Sequence, residues 1–247
     1  MTIPPVVLCY HAVSESWPDE LAIPPKRLAR HLRALLLRRF RPASLADTIG
    51  LRRKLLHVTF DDAYKSVANA VPILEQLAVP ATIFACTDYA QDGRPLAVPE
   101  LAERAAMYRG ELATMNWNEL RAVAERGIEI GSHTLTHPHL PELSDAELAR
   151  ELRESRSQLE DELGRPCRYL AYPYGDTDDR VGAAAQRAGY DAAFGLSPRA
   201  SSRYALPRVG LYRKDTLLRL TLKTSPMRTV VHRLGLNQSR RQTRSPT

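Results

Sequence analysis

Two short polar motifs combine residue types that suit a single reaction. Asp61 and Asp62 end the run VTFDD, and His133 and His137 lie four residues apart in SHTLTH. Two imidazoles and one carboxylate form an open site for a divalent metal ion, and a second carboxylate beside it can act as a base. Either motif alone is more often a cap, a turn or a structural pair. It is their combination that predicts metal-assisted hydrolysis.

The elements that must position these motifs alternate between strand-like and helical patterns. Strands are predicted at 6–10, 57–60, 81–85, 128–131, 169–172 and 192–196, and helices at 25–38, 67–77, 118–126, 144–163 and 180–188. Such alternation predicts parallel βα units, arranged either as a barrel or as a doubly wound sheet. Both motifs and a Pro-Tyr-Gly turn at 173–175 follow predicted strands. Three polar strand ends converge best at the mouth of a barrel, which favours the barrel.

Length and charge limit the possible classes of protein. The 247 residues suffice for one large α/β domain or two small ones, and 44% hydrophobic with 26% charged residues is ordinary for a globular protein. The net charge of +7 is uneven, because residues 203–247 hold eleven Lys and Arg against one acid and leave −3 for the rest. The basic character therefore belongs to the C-terminal segment, and we expect no nucleic-acid partner.

Cysteine usage and hydropathy give an expectation for the compartment. Cys9, Cys86 and Cys167 form no CxxC pair and lie in apolar surroundings, which favours buried thiols in a reducing compartment. The N-terminal sequence lacks a positively charged region before its short apolar run, and no apolar run approaches about 20 residues. These features predict a cytoplasmic protein, although a chain with its export signal removed would look the same.

The order of motifs resembles the polysaccharide deacetylase family, also known as the NodB-homology domain or carbohydrate esterase family 4. TFDD, SHTLTHPHL, the Pro-Tyr-Gly turn and GYDAAF follow one another across roughly residues 6–212. The resemblance implies an α/β fold, a single-domain irregular (β/α) barrel of about seven strands. It also implies removal of acetyl groups from N-acetylated sugars with one divalent ion, usually zinc. We expect a catalytic domain at 1–214 and a basic C-terminal helix and tail at 215–247.

The resemblance also assigns roles to individual residues. It implies that Asp62, His133 and His137 bind the metal ion and that Asp61 is the general base. The backbone N–H of Tyr174 would donate to the oxyanion, a contribution on the order of 3 kcal/mol. Beside it, the predicted substrate-binding residues are Tyr172 and Pro173, which belong to the same strand end.

Three departures from the family pattern affect these roles. Ala63 replaces the Gly of TFDDG, and Ala171 replaces the Arg that usually opens the Pro-Tyr-Gly motif. The late Leu-x-His motif, whose His usually acts as general acid, is missing, since its region reads LPRV with Arg208 in third place. The only later His, His232, lies in the basic tail. We therefore predict that Arg208 replaces the missing Arg and orients Asp61.

A different residue must then serve as the general acid. His11 follows the first predicted strand in a Tyr-His pair, a placement that resembles the poly-N-acetylglucosamine deacetylase branch of the family. In that branch the motif order is permuted and an early His serves as acid. A single His at a strand end is more often structural, but the absence of the late His favours His11 as the acid.

These residues leave several functions and partners open. The leading hypothesis is deacetylation of an N-acetylhexosamine in a glycan or a sugar-lipid precursor. The alternatives are hydrolysis of a non-sugar linear or cyclic amide at the same site, and an inactive carbohydrate-binding domain. The segment 216–236 interleaves Leu with Arg and Lys. It would either rest on an anionic membrane surface or pack a last helix onto the barrel ahead of a disordered tail. The oligomeric state stays open.

Overall fold

Parallel strands form one sheet in the computed structural model, which describes residues 4–51, 53–108, 110–197 and 202–225. Strand order within this described part is β8-β7-β6-β5-β4-β3-β1-β9, and β2 pairs with the start of β3. The strands are β1 (Val6–Tyr10), β2 (Arg41–Pro42), β3 (Leu55–Phe60), β4 (Ala81–Ala85), β5 (Glu129–Ser132), β6 (Tyr169–Ala171), β7 (Ala192–Gly195), β8 (Leu206–Pro207) and β9 (Val209–Gly210).

The two ends of the sheet belong to one short stretch of chain. β8 pairs with β7, β9 pairs with β1, and Arg208 is the residue between them. The sheet therefore comes within one residue of closing on itself. Counting 206–210 as one interrupted strand gives seven positions around the ring, so the predicted irregular barrel of about seven strands is confirmed.

Helices surround this barrel, and local sequence signals set most of their ends. Ser144 and Glu147 form the capping box of the longest helix, and Gly164 ends that helix with a φ of 61°. The helices are α1 (Pro25–Leu37), α2 (Leu45–Thr48), α3 (Val71–Leu77), α4 (Thr87–Ala90), α5 (Ala102–Tyr108), α6 (Trp117–Glu125), α7 (Asp145–Leu163), α8 (Asp179–Arg187) and α9 (Leu217–Lys223). No helix in the described ranges is long and apolar enough to cross a bilayer.

The helix predicted at 67–77 is α-helical only in its second half. Residues Lys65–Ala70 form a 3-10 helix, and α-helix begins at Val71. Pro72 explains the change, because it has no N–H with which to continue an α-helical ladder back into this turn.

The barrel interior is built from strands buried along their whole length. Every residue of β1, β3 and β4 is buried, as expected for parallel strands covered on both faces. Polar side chains therefore appear where these strands end, and the candidate site lies at those ends.

The last described helix is attached to the barrel by a buried ion pair. Lys223 Nζ lies 2.7 Å from Asp215 Oδ2 and donates to the carbonyl of Gly210 at 3.0 Å. Leu220 is also buried, whereas Leu217, Leu218 and Leu222 are exposed. The predicted tail and His232 lie outside the described residues, and the domain limit at 214 stays a prediction.

Candidate active site

The predicted site residues meet at the carboxyl ends of the barrel strands. Asp61 and Asp62 follow β3, His133 follows β5, and Arg208 separates β8 from β9. Tyr174 lies in the turn after β6, and His11 follows β1. The barrel thus gathers side chains that are up to 197 positions apart in the sequence (His11 to Arg208).

Three side chains form a compact group that could hold a metal ion. Nε2 of His133 and Nε2 of His137 lie 3.4 Å and 3.3 Å from Oδ1 of Asp62. A tetrahedral ion with bonds of about 2.0–2.1 Å separates its ligands by about 3.3 Å, so the spacing fits zinc-like coordination. Oδ1 of Asp62 and Nδ1 of His137 are buried without a hydrogen-bond partner among the described residues. Aspartate and imidazole donors at this spacing fit one divalent ion.

Hydrogen bonding orients the first imidazole toward this point. Nδ1 of His133 donates to the carbonyl of Ala171 at 2.8 Å, which leaves Nε2 facing Asp62. Burial opposes ionisation of Asp62, but the imidazoles of His133 and His137 outweigh burial and hold the pKa of this carboxyl well below its ordinary value. Asp62 is therefore a carboxylate, as a metal ligand must be.

A buried glutamate on α7 holds the loop that carries both histidines. Oε2 of Glu151 accepts hydrogen bonds from the backbone N–H groups of Leu135 and Thr136 at 2.9 Å and 3.0 Å. Oε1 accepts the Thr136 hydroxyl at 2.7 Å. Thr134 and His137 have φ values of 72° and 67°, a left-handed conformation that costs a non-glycine residue roughly 1–2 kcal/mol. Glu151, absent from the sequence-based prediction, therefore positions this loop.

The segment after β3 has a similar backbone. Asp62 and Ala63 have φ values of 68° and 49°. A glycine, the family's residue at the second position, adopts this conformation without a steric penalty. Ala63 adopts it here at a cost of roughly 1–2 kcal/mol, and its carbonyl accepts the N–H of Met115 at 2.8 Å. The departure TFDDA therefore keeps the turn that TFDDG would form.

The predicted base forms a buried bidentate ion pair. The guanidinium of Arg208 donates to both oxygens of Asp61, at 2.6 Å and 2.8 Å, and to Thr59 Oγ1 at 3.0 Å. Burial opposes the ionisation of Asp61, but Arg208 outweighs it and lowers the pKa of this carboxyl. Asp61 is therefore ionised and held in one orientation. The structure thus brings together the two residues that sequence reasoning paired.

A thiol also touches this carboxylate. Sγ of Cys9 lies 3.3 Å from Oδ2 of Asp61. Burial raises the pKa of the Cys9 thiol well above its ordinary value, so the sulfur keeps its proton and donates it to the carboxylate. All three cysteines are free and buried, as the sequence predicted.

His11 lies beside Asp61, the predicted base. One ring nitrogen of His11, an oxygen of Asp61 and Sγ of Cys9 fall within 4.8 Å of one another. The ring stacks on Tyr212 with centroids 6.4 Å apart, and Nδ1 is buried without a partner in the described ranges. Burial lowers the pKa of His11 from its ordinary value, so the ring is largely neutral at pH 7.

Tyr174 borders the metal ligands on the outer side. Its ring packs edge-on against His137, with centroids 4.6 Å apart, and its hydroxyl donates to Glu100 Oε2 at 2.9 Å. The residue has a φ of 59°, and within the described chain its backbone N–H donates to no backbone carbonyl. The family resemblance assigns this N–H to the oxyanion. His139 stacks on the same ring at 3.8 Å.

The structure buries the side chains of Tyr172 and Pro173, and their predicted substrate contact stays a prediction. Tyr172 is fully buried in the core, and its hydroxyl donates to the carbonyl of Tyr204 at 2.6 Å. Pro173 is buried as well. Tyr172 lies at the carboxyl end of β6 and faces the helix layer, so only Tyr174 of this turn presents a ring at the site.

Comparison with known proteins agrees with this architecture. The family model described as "Polysaccharide deacetylase" matches residues 49–193. A polysaccharide deacetylase-like protein of Bacillus subtilis, YxkH, is 26% identical over 215 residues, covering 82% of this chain and 70% of that protein.

Solved structures share the fold over most of the chain. The deacetylase PplD of Streptococcus pyogenes, in complex with acetate, superposes with a TM-score of 0.74 at 20% identity, covering 92% of this chain and all of that one (100%). IcaB from Ammonifex degensii gives 0.71 at 25% identity, covering 90% and 97%. With a family model that matches more than half of its length, the chain belongs to the polysaccharide deacetylase family, whose activity is hydrolysis of acetyl groups on polysaccharides.

Proposed function

We propose that the protein removes an N-acetyl group from an N-acetylhexosamine in a glycan or a sugar-lipid precursor, with one bound Zn²⁺. The observation that carries this proposal is the convergence of Asp62, His133 and His137 on one point, with the Arg208-bound carboxylate of Asp61 beside it. Membership of the polysaccharide deacetylase family supports an acetyl group as the group that is removed.

The ligand set favours zinc among the divalent ions. Two imidazole nitrogens and one carboxylate oxygen at tetrahedral spacing suit Zn²⁺, whereas Mg²⁺ and Ca²⁺ take oxygen ligands in larger shells. Three protein ligands leave coordination positions open, as in catalytic rather than structural sites. When bound, the ion would supply Lewis-acid polarisation of the acetyl carbonyl.

The protein's own groups then have distinct tasks. Asp61 is ionised and fixed by Arg208, so it accepts the proton of the attacking water. The free N–H of Tyr174 donates to the carbonyl oxygen as negative charge develops there. His11 lies within 4.8 Å of Asp61; the neutral ring would take up the proton that Asp61 removes from the water and pass it to the departing amine, and burial, which lowers the pKa of His11, favours that release.

Acetate release from N-acetylglucosamine oligomers tests the proposal. The metal-free chain is assayed alone and after titration with Zn²⁺, Co²⁺ and Ni²⁺, and bound metal is measured by elemental analysis. We expect activity to rise until one equivalent of ion is bound. His133→Ala should lose metal, because one of three ligands is gone. Asp61→Asn should keep metal and lose turnover.

The alternatives give different results in the same experiment. Stoichiometric metal without acetate release from any glycan of a panel would contradict a sugar substrate and favour a non-sugar amide. Neither metal binding nor acetate release would contradict an enzymatic function altogether. Full metal occupancy in His133→Ala would contradict the assigned ligand set.

A further inference from the structure

We propose that the face formed by α1 and α9 docks on the surface of an anionic phospholipid bilayer. This face is defined by the exposed side chains of α1 (Pro25–Leu37) and of α9 (Leu217–Lys223). It is separate from the candidate active site, and the proposal does not depend on the activity.

Charge is strongly segregated along the sequence, onto the segment that contains α1 and the segment that contains α9. Residues 25–41 contain seven Lys and Arg and no acid, and residues 203–247 contain eleven against Asp215 alone. The two segments carry a formal +17, which includes the buried cations Arg208 and Lys223, so the remaining residues carry −10. Residues 226–247, outside the described ranges, contribute five of these Arg residues.

The basic residues of α1 lie along one stripe. Lys26, Arg30 and Arg33 are exposed, and their spacing of four and three residues places them on one face together with Leu37. The opposite face of the helix, around Leu28 and Leu32, is buried in the core. Within the described part of the chain, none of these three cations is within salt-bridge distance of a carboxylate.

The apolar residues beside this stripe are equally distinctive. Six large hydrophobic side chains are exposed in the described ranges, and four of them belong to this face. Leu37 at the end of α1 is 85% exposed, and Leu218 is 70% exposed. On α9, Leu217 and Leu222 point outward with Leu218, while Leu220 and Lys223 point into the protein.

The two helices are held together, so the face is preformed. Arg38 donates to Thr224 Oγ1 at 2.7 Å, and His31 Nε2 contacts the carbonyl of Asp215 at 3.0 Å. The buried Lys223–Asp215 ion pair fixes the orientation of α9. Because Lys223 points into the protein, the three exposed leucines of α9 point outward. A helix oriented only by the burial of its apolar residues would place these leucines inside.

This combination selects a lipid surface over other anionic partners. Phosphate groups of any polyanion would attract the cationic stripe, but a nucleic acid offers nothing that buries four exposed leucines. An anionic bilayer accepts both groups, with lysine and arginine at the headgroups and leucine at the acyl boundary. A basic residue near such a surface contributes about a fivefold factor in binding at 25 °C.

Co-sedimentation of the full chain with vesicles tests the proposal. One vesicle type is phosphatidylcholine alone and the other is an equal mixture with phosphatidylglycerol, each at low salt and at about 0.15 M salt. We expect preferential binding to the anionic vesicles that weakens with salt. The variant Lys26→Gln/Arg30→Gln/Arg33→Gln should bind on the order of 100-fold more weakly, the product of three fivefold factors.

Matched control variants test whether binding depends on this face or only on the total charge and exposed hydrophobic surface of the protein. Arg150→Gln/Arg153→Gln/Arg187→Gln removes the same charge from exposed positions on α7 and α8. For the apolar contribution, Leu218→Ser is compared with Met107→Ser, since these side chains are 70% and 71% exposed. We expect roughly a tenfold loss for Leu218→Ser and little change for Met107→Ser.

Several results would overturn the inference. Equal binding to neutral and anionic vesicles would do so, as would an equal loss in the two charge variants. Anionic-vesicle binding that survives the α1 changes would locate the interaction in residues 226–247 and contradict this face. Duplex DNA binding as tight as vesicle binding, and unaffected by Leu218→Ser, would identify a general polyanion site. Circular dichroism of every variant confirms that the fold is retained.

Discussion

The replacement Glu151→Ala should loosen the histidine loop and weaken metal binding. Three hydrogen bonds from Leu135 and Thr136 end on this carboxylate, at 2.7–3.0 Å. The N–H of Leu135 is on a buried residue, so losing its acceptor costs about 1–3 kcal/mol. Thr136 is exposed, and water can replace its partner there. We therefore expect a destabilisation of about 1–3 kcal/mol.

The effect on metal follows from the backbone conformation of the loop. The left-handed φ values of Thr134 and His137 persist only while surrounding contacts enforce them. Without Glu151 the loop can relax, and the two imidazoles would no longer face Asp62 at the spacing observed. Loss of groups that orient metal ligands typically lowers metal affinity by 10–100-fold, and we expect a loss in that range.

Two measurements distinguish a positioning role from a purely structural one. Zinc affinity is determined by competition with a chelating dye, and the free energy of unfolding is determined separately by urea titration of the metal-free chain. Glu151→Gln should be milder, because its amide oxygen still accepts both backbone N–H groups. Glu154→Ala, an exposed position on the same helix, is the control. Native zinc affinity in Glu151→Ala would refute the reasoning, whatever the stability.

Three further changes test the remaining parts of the site and the core. Arg208→Gln should destabilise the protein by about 3–5 kcal/mol in urea titrations, because it leaves Asp61 buried without its cation. The additional change Asp61→Asn should recover part of that loss, and strict additivity would contradict the coupling. His11→Ala should lower kcat by roughly 10²–10⁴ and remove the alkaline limb of the pH–rate profile. An unchanged profile would contradict the general-acid role and indicate that His11 is structural. His57 is buried, and burial lowers its pKa to about 4. Since the unfolded chain binds this proton near pH 6.5, stability should fall as pH drops from 6.5 toward 4, by about 2 kcal/mol at pH 5. His57→Gln should flatten that dependence of the urea midpoint, and an unflattened curve would show that His57 does not cause it.

Sequence alone predicted the strands that carry the site because they are buried on both faces. β1 and β4 have the predicted bounds, and β3 begins two residues earlier than predicted. Continuous apolar runs that end in polar residues mark such strands clearly. The positions of Asp61, Asp62 and His133 at strand ends could therefore be predicted without any structure.

The closing strands could not be predicted in the same way. β8 and β9 have two residues each and are separated by an arginine, so no hydrophobic periodicity identifies them. Arg208 was found from the absence of a motif and not from a strand signal. The burial of the Tyr172 side chain could not be predicted for a related reason, since a strand end does not show which way its last residue faces.

Glu151 was overlooked, although the sequence contains a sign of it. It lies on the face of α7 formed by Leu148, Leu152 and Leu159, all of them buried. A carboxylate on the apolar face of an amphipathic helix needs hydrogen-bond donors from another part of the chain. The sequence signals this requirement, but only the tertiary structure shows that the donors belong to the histidine loop.

We propose that Arg208 replaces, in space and not in sequence, the arginine that usually opens the Pro-Tyr-Gly motif of the family. Ala171, where the family usually has an arginine, is fully buried in a cluster with Phe84 and Phe194. The guanidinium of Arg208 lies 5.4 Å from the centroid of the Phe84 ring and pairs with Asp61. Arg208 therefore contacts the same cluster, but it comes from the junction of β8 and β9 and not from β6. Arg208 also lies between the two closing strands, so the residue that pairs with Asp61 stands where the barrel closes. A change that loosens β8 or β9 should therefore lower turnover by displacing Arg208 from Asp61.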